Sequence, residues 1–149
     1  MIRIRLIFFF IAILEFGCTV PAKKELEVWL EYEPALVTLS GEVVVLTKPG
    51  PPGFGETPDE DAIVDVPVLK LSTPINVRGQ VGGGVNSDSF VDIHEVQLIL
   101  GPCEHCFIRY LKKTVNVTGT LFEHQSGHHY TSVLLAVHEF AQNGDTCPP

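Results

Sequence analysis

Residues 114–140 read TVNVTGTLFEHQSGHHYTSVLLAVHEF, and this stretch decides the fold. Apolar and polar residues alternate on both sides of a polar centre, which predicts two strands that each bury one face. The polar centre between the strands holds three histidines, so the pattern predicts a β-hairpin with a histidine-rich tip. The predicted inward positions are Val115, Val117, Gly119 and Leu121 on the first strand and Val133, Leu135 and Val137 on the second.

The tip of this hairpin is the candidate site. In a hairpin, His124 leaving one strand and His128 or His129 entering the next can lie within reach of one cation, with Glu123 adding an oxygen ligand. Adjacent residues of an extended chain point to opposite faces, however, so at most one of the neighbouring histidines would share a face with His124. The alternative is a turn in which one histidine packs against loop backbone and the other is solvated. We expect no cofactor, with zinc or copper as the alternative. The candidate ligand or turn residues are His124, Gly127, His128, His129, Tyr130 and Thr131.

The run GTLFEHQSGHHYTSVLLAV resembles the end of the bacterial domain-of-unknown-function family 4431. In that family a strand ending in a Gly-Thr-Leu-Phe-like run leads through a Gly-His-His pair to Thr-x-Val-Leu-Leu. The resemblance implies a role for Gly127, His128, His129 and Thr131, either as a site or as a structural turn. The family has no established activity, so the resemblance implies no chemistry.

The N-terminus predicts export. Arg3 and Arg5 precede an apolar run over residues 6–14, and Gly17 and Cys18 follow at signal-peptide distance. A small residue before a cysteine resembles the bacterial lipobox, whose cysteine is diacylated, although Glu15 stands where that motif has an aliphatic residue. We therefore expect a signal peptide over residues 1–17 and a lipoprotein anchored through Cys18, facing the periplasm or the exterior. The alternative is ordinary cleavage after residues 20–22, which would give a soluble periplasmic or secreted protein.

The rest of the chain predicts one all-β domain. Five or six short strands, few helical patterns and a glycine in the middle of the first confident strand favour a small antiparallel β-barrel of the oligonucleotide/oligosaccharide-binding (OB) type, with a β-sandwich as the alternative. Gly41 predicts a bend in that strand, and Pro67 predicts an edge strand or a break. The predicted organisation is a tether over residues 18–35, the barrel over 36–141 and a C-terminal tail over 142–149.

Cysteines add a covalent constraint. If Cys18 is lipidated, an odd number of cysteines remains for an oxidising compartment, and these are the disulfide candidates Cys103, Cys106 and Cys147. The Cys-Glu-His-Cys spacing admits a disulfide within the pair or from one member to Cys147, half of a metal site, or a redox pair. We expect the structural disulfide, because the second half of a zinc motif is absent and no amphipathic helix is predicted nearby.

Charge and motifs limit the function classes. The chain carries a net charge of −8 and has no basic stripe, so nucleic acid is not an expected partner. The acidic run Asp59, Glu60 and Asp61 predicts a solvated turn, and the sequence contains no nucleophile elbow, phosphate loop or metalloprotease helix. We expect a non-catalytic binding or structural module of the bacterial cell envelope, with a protein or glycan partner and a membrane anchor. The alternative is a divalent-metal-binding envelope protein that uses the hairpin histidines.

Overall fold

The computed structural model describes residues 28–82 and 84–147. The predicted signal peptide, Cys18 and most of the predicted tether lie outside these residues. Within them, no helix is long and apolar enough to span a membrane. The elements are β1 (Trp29–Glu31), β2 (Leu36–Pro49), β3 (Ile63–Arg78), β4 (Phe90–Ile99), a 3₁₀ helix (Gly101–Cys103), α1 (Glu104–Tyr110), β5 (Thr114–Glu123), β6 (Val133–Gln142) and β7 (Asp145–Cys147).

Five of the described strands close into a ring within one sheet. The order is β3, β2, β5, β6 and β4, and pairing of β4 with β3 completes the ring. The neighbours in the ring are antiparallel except β4 and β6, which run parallel. The predicted all-β class is confirmed, and the ring is consistent with the predicted OB-like arrangement. A β-sandwich would need two facing sheets, whereas the described strands form a single sheet.

The interior of the ring is the apolar core, and the predicted hairpin register is correct. β5 and β6 pair antiparallel with Glu123 opposite Val133 at the tip. A register shift between Thr118 and Gly119 places His138 in a bulge on β6. Every predicted inward position of the hairpin is buried: Val115, Val117, Gly119, Leu121, Val133, Leu135 and Val137.

Gly41 marks the place where β2 changes neighbours. It pairs with Leu71 of β3 on one side and with Val115 of β5 on the other. A Cβ atom at this position would lie 2.3 Å from the Lys70 carbonyl oxygen, closer than any side chain tolerates. A residue without a side chain is therefore needed for the close approach of the two strands.

Three parts of the chain differ from the sequence expectation. The segment after β4 forms a 3₁₀ turn and the helix α1, where no helix was predicted. The residues assigned to the tether include β1, which pairs parallel with β3 and is followed by the buried Tyr32. The residues assigned to the tail include β7, which pairs with β6. Both short strands add to the sheet at the margins of the ring.

Candidate functional site

The loop between β5 and β6, residues 124–132, is called the hairpin loop here. The strand ladder extends one step into it, because the His124 amide donates a hydrogen bond of 3.1 Å to the Ser132 carbonyl. A tight turn follows, closed by the His129 amide donating to the Ser126 carbonyl at 2.9 Å. The turn bends the chain back toward the sheet and does not let it extend into solvent.

Gln97 of β4 holds the hairpin loop against the outer face of the sheet. Its side-chain oxygen accepts from the Tyr130 amide at 2.7 Å, and its side-chain nitrogen donates to the His128 carbonyl at 3.2 Å. The backbone amide of Gln97 also donates to the Thr131 hydroxyl at 2.9 Å, and that hydroxyl donates to the Val133 carbonyl. The Gln97 side chain is 7% exposed, so these bonds satisfy a buried amide.

The folded-back hairpin loop covers a second, smaller apolar cluster outside the ring. Val68, Gln97 and Leu134 lie in register on three neighbouring strands. Alternation places these three on the face opposite to the interior, because the interior core contains the residues beside them: Leu69, Val96, Leu98, Val133 and Leu135. Val68 and Leu134 are nevertheless 1% and 0% exposed. Simple alternation along β6 would have placed Leu134 in solvent.

The loop between β2 and β3, residues 50–62, is called the acidic loop here, and Asp61 organises it. The Asp61 carboxylate accepts hydrogen bonds from the Gly53 and Gly55 amides at 2.7 and 2.6 Å and from the Thr57 hydroxyl at 2.8 Å. Desolvation raises the pKa of Asp61, but the hydrogen bonds from Gly55, Thr57 and Gly53 outweigh it and lower that pKa. One member of the acidic run is thus the internal anchor of the loop.

The two loops contact each other. The Tyr130 hydroxyl of the hairpin loop donates to the Pro49 carbonyl at 2.8 Å, where the acidic loop begins. The Phe54 ring packs so closely on Gly127 that a Cβ there would lie 3.2 Å from it. Between the loops and β3 lies an open groove of about 400 Å³, called the loop groove. Its lining residues are Pro51, Phe54, Val64, Asp65, Val66, Pro67, Gln97, His128 and Tyr130.

The hairpin histidines are arranged differently from an extended chain. The turn at Ser126 brings the rings of His128 and His129 together, with centroids 4.6 Å apart, so the expectation of opposite faces is wrong here. His129 is half-buried against Phe122, and its Nδ1 accepts from the Gln125 amide at 2.9 Å. A neutral ring whose Nδ1 accepts carries its proton on Nε2, so neither nitrogen of His129 is free for a metal.

The charges at the hairpin tip have two further features. Desolvation, followed by the charges of His128 and His124, lowers the pKa of His129. Glu123 was expected to complete a metal shell, but its carboxylate accepts a hydrogen bond from the Asp88 amide at 3.1 Å. His124 lies edge-on to Phe90 across 6.4 Å. Metal binding at the hairpin tip stays the alternative to the prediction of no cofactor.

The described cysteines lie around α1, near the end of the hairpin that is away from the hairpin loop. Cys106 and Cys147 form a disulfide that ties α1 to β7, which is one of the pairings left open by the sequence. Among the described cysteines, Cys103 is the one with a free thiol, and it is buried with its Sγ 3.3 Å from the His138 carbonyl. Among the described residues, three potential metal-ligand atoms within 4.8 Å of one another occur in the group His105, Cys106 and Cys147. Sequence reasoning did not single out His105, although its place inside the Cys-Glu-His-Cys motif was a usable signal.

The fold and the groove together define an all-β protein with an open site between two loops. Residues 95–141 match the family described as Domain of unknown function (DUF4431). The match confirms the family resemblance of the hairpin and extends it through Gln97, the Cys-Glu-His-Cys motif and α1. It covers about a third of the chain and leaves out the acidic loop and Cys147. No curated protein and no solved structure matches the chain.

Proposed function

We propose that this chain is a non-catalytic binding module that takes an extended segment of a partner protein into the loop groove. The single observation that carries the proposal is the contact between the hairpin loop and the acidic loop, which builds a groove from two distant parts of the sequence. Five-stranded barrels of the OB type bind elongated ligands with the loops that correspond to these two. Because that architecture serves many ligands, the ligand class has to come from the lining.

The lining favours a peptide. Most of its residues are apolar, and binding sites of this kind combine an apolar surface with a few placed polar groups. The last paired residues of β3 and β4 at this end are Val68 and Gln97. Residues 63–67 of β3 therefore run beside the groove beyond their pairing with β4, where backbone groups can meet an extended peptide. Pro67 removes one donor from this edge.

Charge narrows the partner further. Asp65 lies in the lining of the groove, and the whole chain carries a net charge of −8. Complementary charge speeds the encounter of two proteins, whereas like charge disfavours it. We therefore propose an extended segment that is partly apolar and carries lysine or arginine. A phosphate backbone would be repelled by the same field.

The test is binding of the purified full chain to an array of unbiased peptides and, in parallel, to a glycan array. The diagnostic variant is Val64→Asp, because Val64 lines the groove and a carboxylate there would be desolvated by an apolar ligand. The matched control is Ile63→Asp, because Ile63 is the next residue, is 72% exposed and is not part of the lining.

Both variants add the same charge, so a shared electrostatic effect cancels between them. We expect peptide binding that Val64→Asp weakens at least tenfold, or about 1.4 kcal/mol, and that Ile63→Asp leaves unchanged. Binding to glycans but not to peptides would show that the partner is a glycan and would leave the loop groove as the proposed binding site. Equal effects of the two variants would remove the groove from the proposal.

We also propose that the module works in the cell envelope, exported by residues 1–17 and held at a membrane by acyl groups on Cys18. The support is the pattern of Arg3, Arg5, the apolar run and Gly17 before Cys18. A module tethered in this way would meet a partner on the same membrane at a raised local concentration, because the membrane holds both proteins close together.

A further inference from the structure

The disulfide between Cys106 and Cys147 has an unusual neighbour in His105. The Nε2 atom of His105 lies 3.3 Å from the Cys106 sulfur and 3.6 Å from the Cys147 sulfur. The Nδ1 atom of the same ring lies 3.0 Å from the Pro102 carbonyl oxygen. A carbonyl oxygen only accepts, so Nδ1 must carry the proton in this contact. In the neutral ring Nε2 then has an unprotonated lone pair directed at the two sulfurs.

This arrangement suits a metal better than it suits a disulfide. A disulfide sulfur has no hydrogen to donate to the Nε2 lone pair. Metal-binding histidines, in contrast, commonly fix their ligating nitrogen by donating the other N–H to a backbone carbonyl. The Pro102 carbonyl performs this function for His105.

The distances agree with the geometry of tetrahedral zinc. With zinc–sulfur bonds of about 2.3 Å and zinc–nitrogen bonds of about 2.0–2.1 Å, tetrahedral angles place sulfur and nitrogen about 3.5 Å apart. Both contacts between His105 and the sulfurs are already close to that value. Only the two bonded sulfurs would have to separate, because tetrahedral angles place two zinc-bound sulfurs about 3.8 Å apart. Cys147 lies on the three-residue strand β7, so little structure has to move with it.

We propose that reduction of this disulfide creates a site for a thiolate-preferring divalent metal ion such as zinc, with His105, Cys106 and Cys147 as its protein ligands. A dithiol reductant donates two electrons and two protons, breaks the bond between the sulfurs and is itself oxidised to a disulfide. The metal ion then displaces the two thiol protons and is held by two thiolates and the neutral imidazole. Water takes the fourth position, because His105 lies at the surface.

Cys103 is a competing ligand, but its surroundings engage it elsewhere. It is completely buried, and its Sγ lies 3.3 Å from the His138 carbonyl and 3.7 Å from the Val137 carbonyl. The site therefore uses one member of the Cys-Glu-His-Cys pair together with the distant Cys147.

The experiment is a titration of the full chain with Co²⁺, before and after anaerobic reduction by a phosphine that does not bind metal. Cobalt bound to thiolate absorbs in the near ultraviolet, so the signal separates this site from any binding by the hairpin histidines. We expect one equivalent of Co²⁺ with this absorption in the reduced chain, none in the oxidised chain, and displacement of the cobalt by Zn²⁺. Circular dichroism before and after metal addition reports the fold.

Three variants distinguish the ligand sets. We expect Cys147→Ser to abolish the absorption of Co²⁺ bound by two thiolates. We expect His105→Ala to weaken the binding of Co²⁺ at least tenfold. Cys103→Ser should retain full affinity. Loss of the signal in Cys103→Ser with retention in Cys147→Ser would place the metal on the Cys-x-x-Cys pair and overturn the proposal. No cobalt binding by the reduced chain, or a reduced chain that is unfolded and not restored by metal, would overturn it equally.

Discussion

At the scale of single residues, Gln97 determines where the hairpin loop lies. Both ends of its side chain bind backbone groups of the loop, and the amide is buried between the sheet and the loop. Such a side chain does not contribute much through its own burial. Its effect comes from the loop groups that would be left without partners if it were removed.

We predict that Gln97→Ala lowers the free energy of unfolding by about 1–3 kcal/mol, because the Tyr130 amide and the His128 carbonyl lose their partners. Urea denaturation followed by fluorescence or circular dichroism measures the change. The matched control is Gln125→Ala, at an exposed position of the same loop, for which we expect less than about 0.5 kcal/mol. Equal losses in the two variants would show that Gln97 does not hold the loop.

His129 gives the hairpin loop a dependence on pH. Its pKa is lowered from 6.5 in the folded chain, first by desolvation and then by the neighbouring histidines. The unfolded state therefore binds a proton more readily than the folded state, and stability falls as the pH drops below about 6.5. We predict that this loss is smaller in His129→Gln than in the parent chain between pH 7 and pH 5.

The measurement is the free energy of unfolding from urea titrations at each pH. His138→Gln is the control, because His138 is exposed on β6 far along the strand from the hairpin loop. The control should follow the parent chain. A parent chain whose stability is flat over this pH range would contradict the assignment of His129 as the packed histidine.

At the scale of elements, the hairpin register can be tested directly. Leu135 is completely buried in the ring, so we predict that Leu135→Ala costs about 2–5 kcal/mol of stability. Leu36→Ala is the control, since Leu36 is a strand leucine that is 64% exposed and should cost below about 0.5 kcal/mol. A small loss of stability in Leu135→Ala would show that the assigned register is wrong by one residue and that the two faces of β6 are exchanged.

The disulfide between α1 and β7 is a second test at this scale. It joins residues that are 41 apart in sequence. We predict that its loss lowers the free energy of unfolding by about 2–4 kcal/mol, because the unfolded chain gains conformational entropy. Chemical denaturation with and without a reductant, in the presence of a metal chelator, measures this cost. The reductant should act on the parent and on Cys103→Ser, and it should have no further effect on Cys147→Ser. A reductant effect that persists in Cys147→Ser would assign the bridge to another pair.

The same elements show what sequence can and cannot predict. The hairpin is predictable because alternation along β5 and β6 is local, and each apolar residue reports its own face. Leu134 is buried against that alternation because the hairpin loop folds over it, and this depends on Gln97 in another strand. α1 has seven residues, too few for a helical period to stand out from its surroundings.

At the scale of the molecule, the loop groove and the group of His105, Cys106 and Cys147 lie in different regions. The groove is built from the acidic loop, β3 and the hairpin loop, whereas His105 and its two cysteines lie on α1 and β7. The loop groove could not be predicted from sequence spacing, because it joins residues from separate elements. The cysteine pattern left open a disulfide within the Cys-x-x-Cys pair or from one member to Cys147, and the folded chain joins Cys106 to Cys147.

Attachment to a membrane is a property of the whole molecule. Each buried methylene contributes about 0.8 kcal/mol, so two acyl chains hold a protein stably where a single chain is marginal. We predict that the expressed full-length chain fractionates with membranes and that mass spectrometry finds a mature N-terminus at Cys18 carrying acyl groups. Cys18→Ser should move the protein to the soluble fraction, while Cys103→Ser should leave it on the membrane. An unmodified N-terminus at Lys23 would disprove the lipid anchor and still support export, since cleavage after Ala22 fits an ordinary signal peptide.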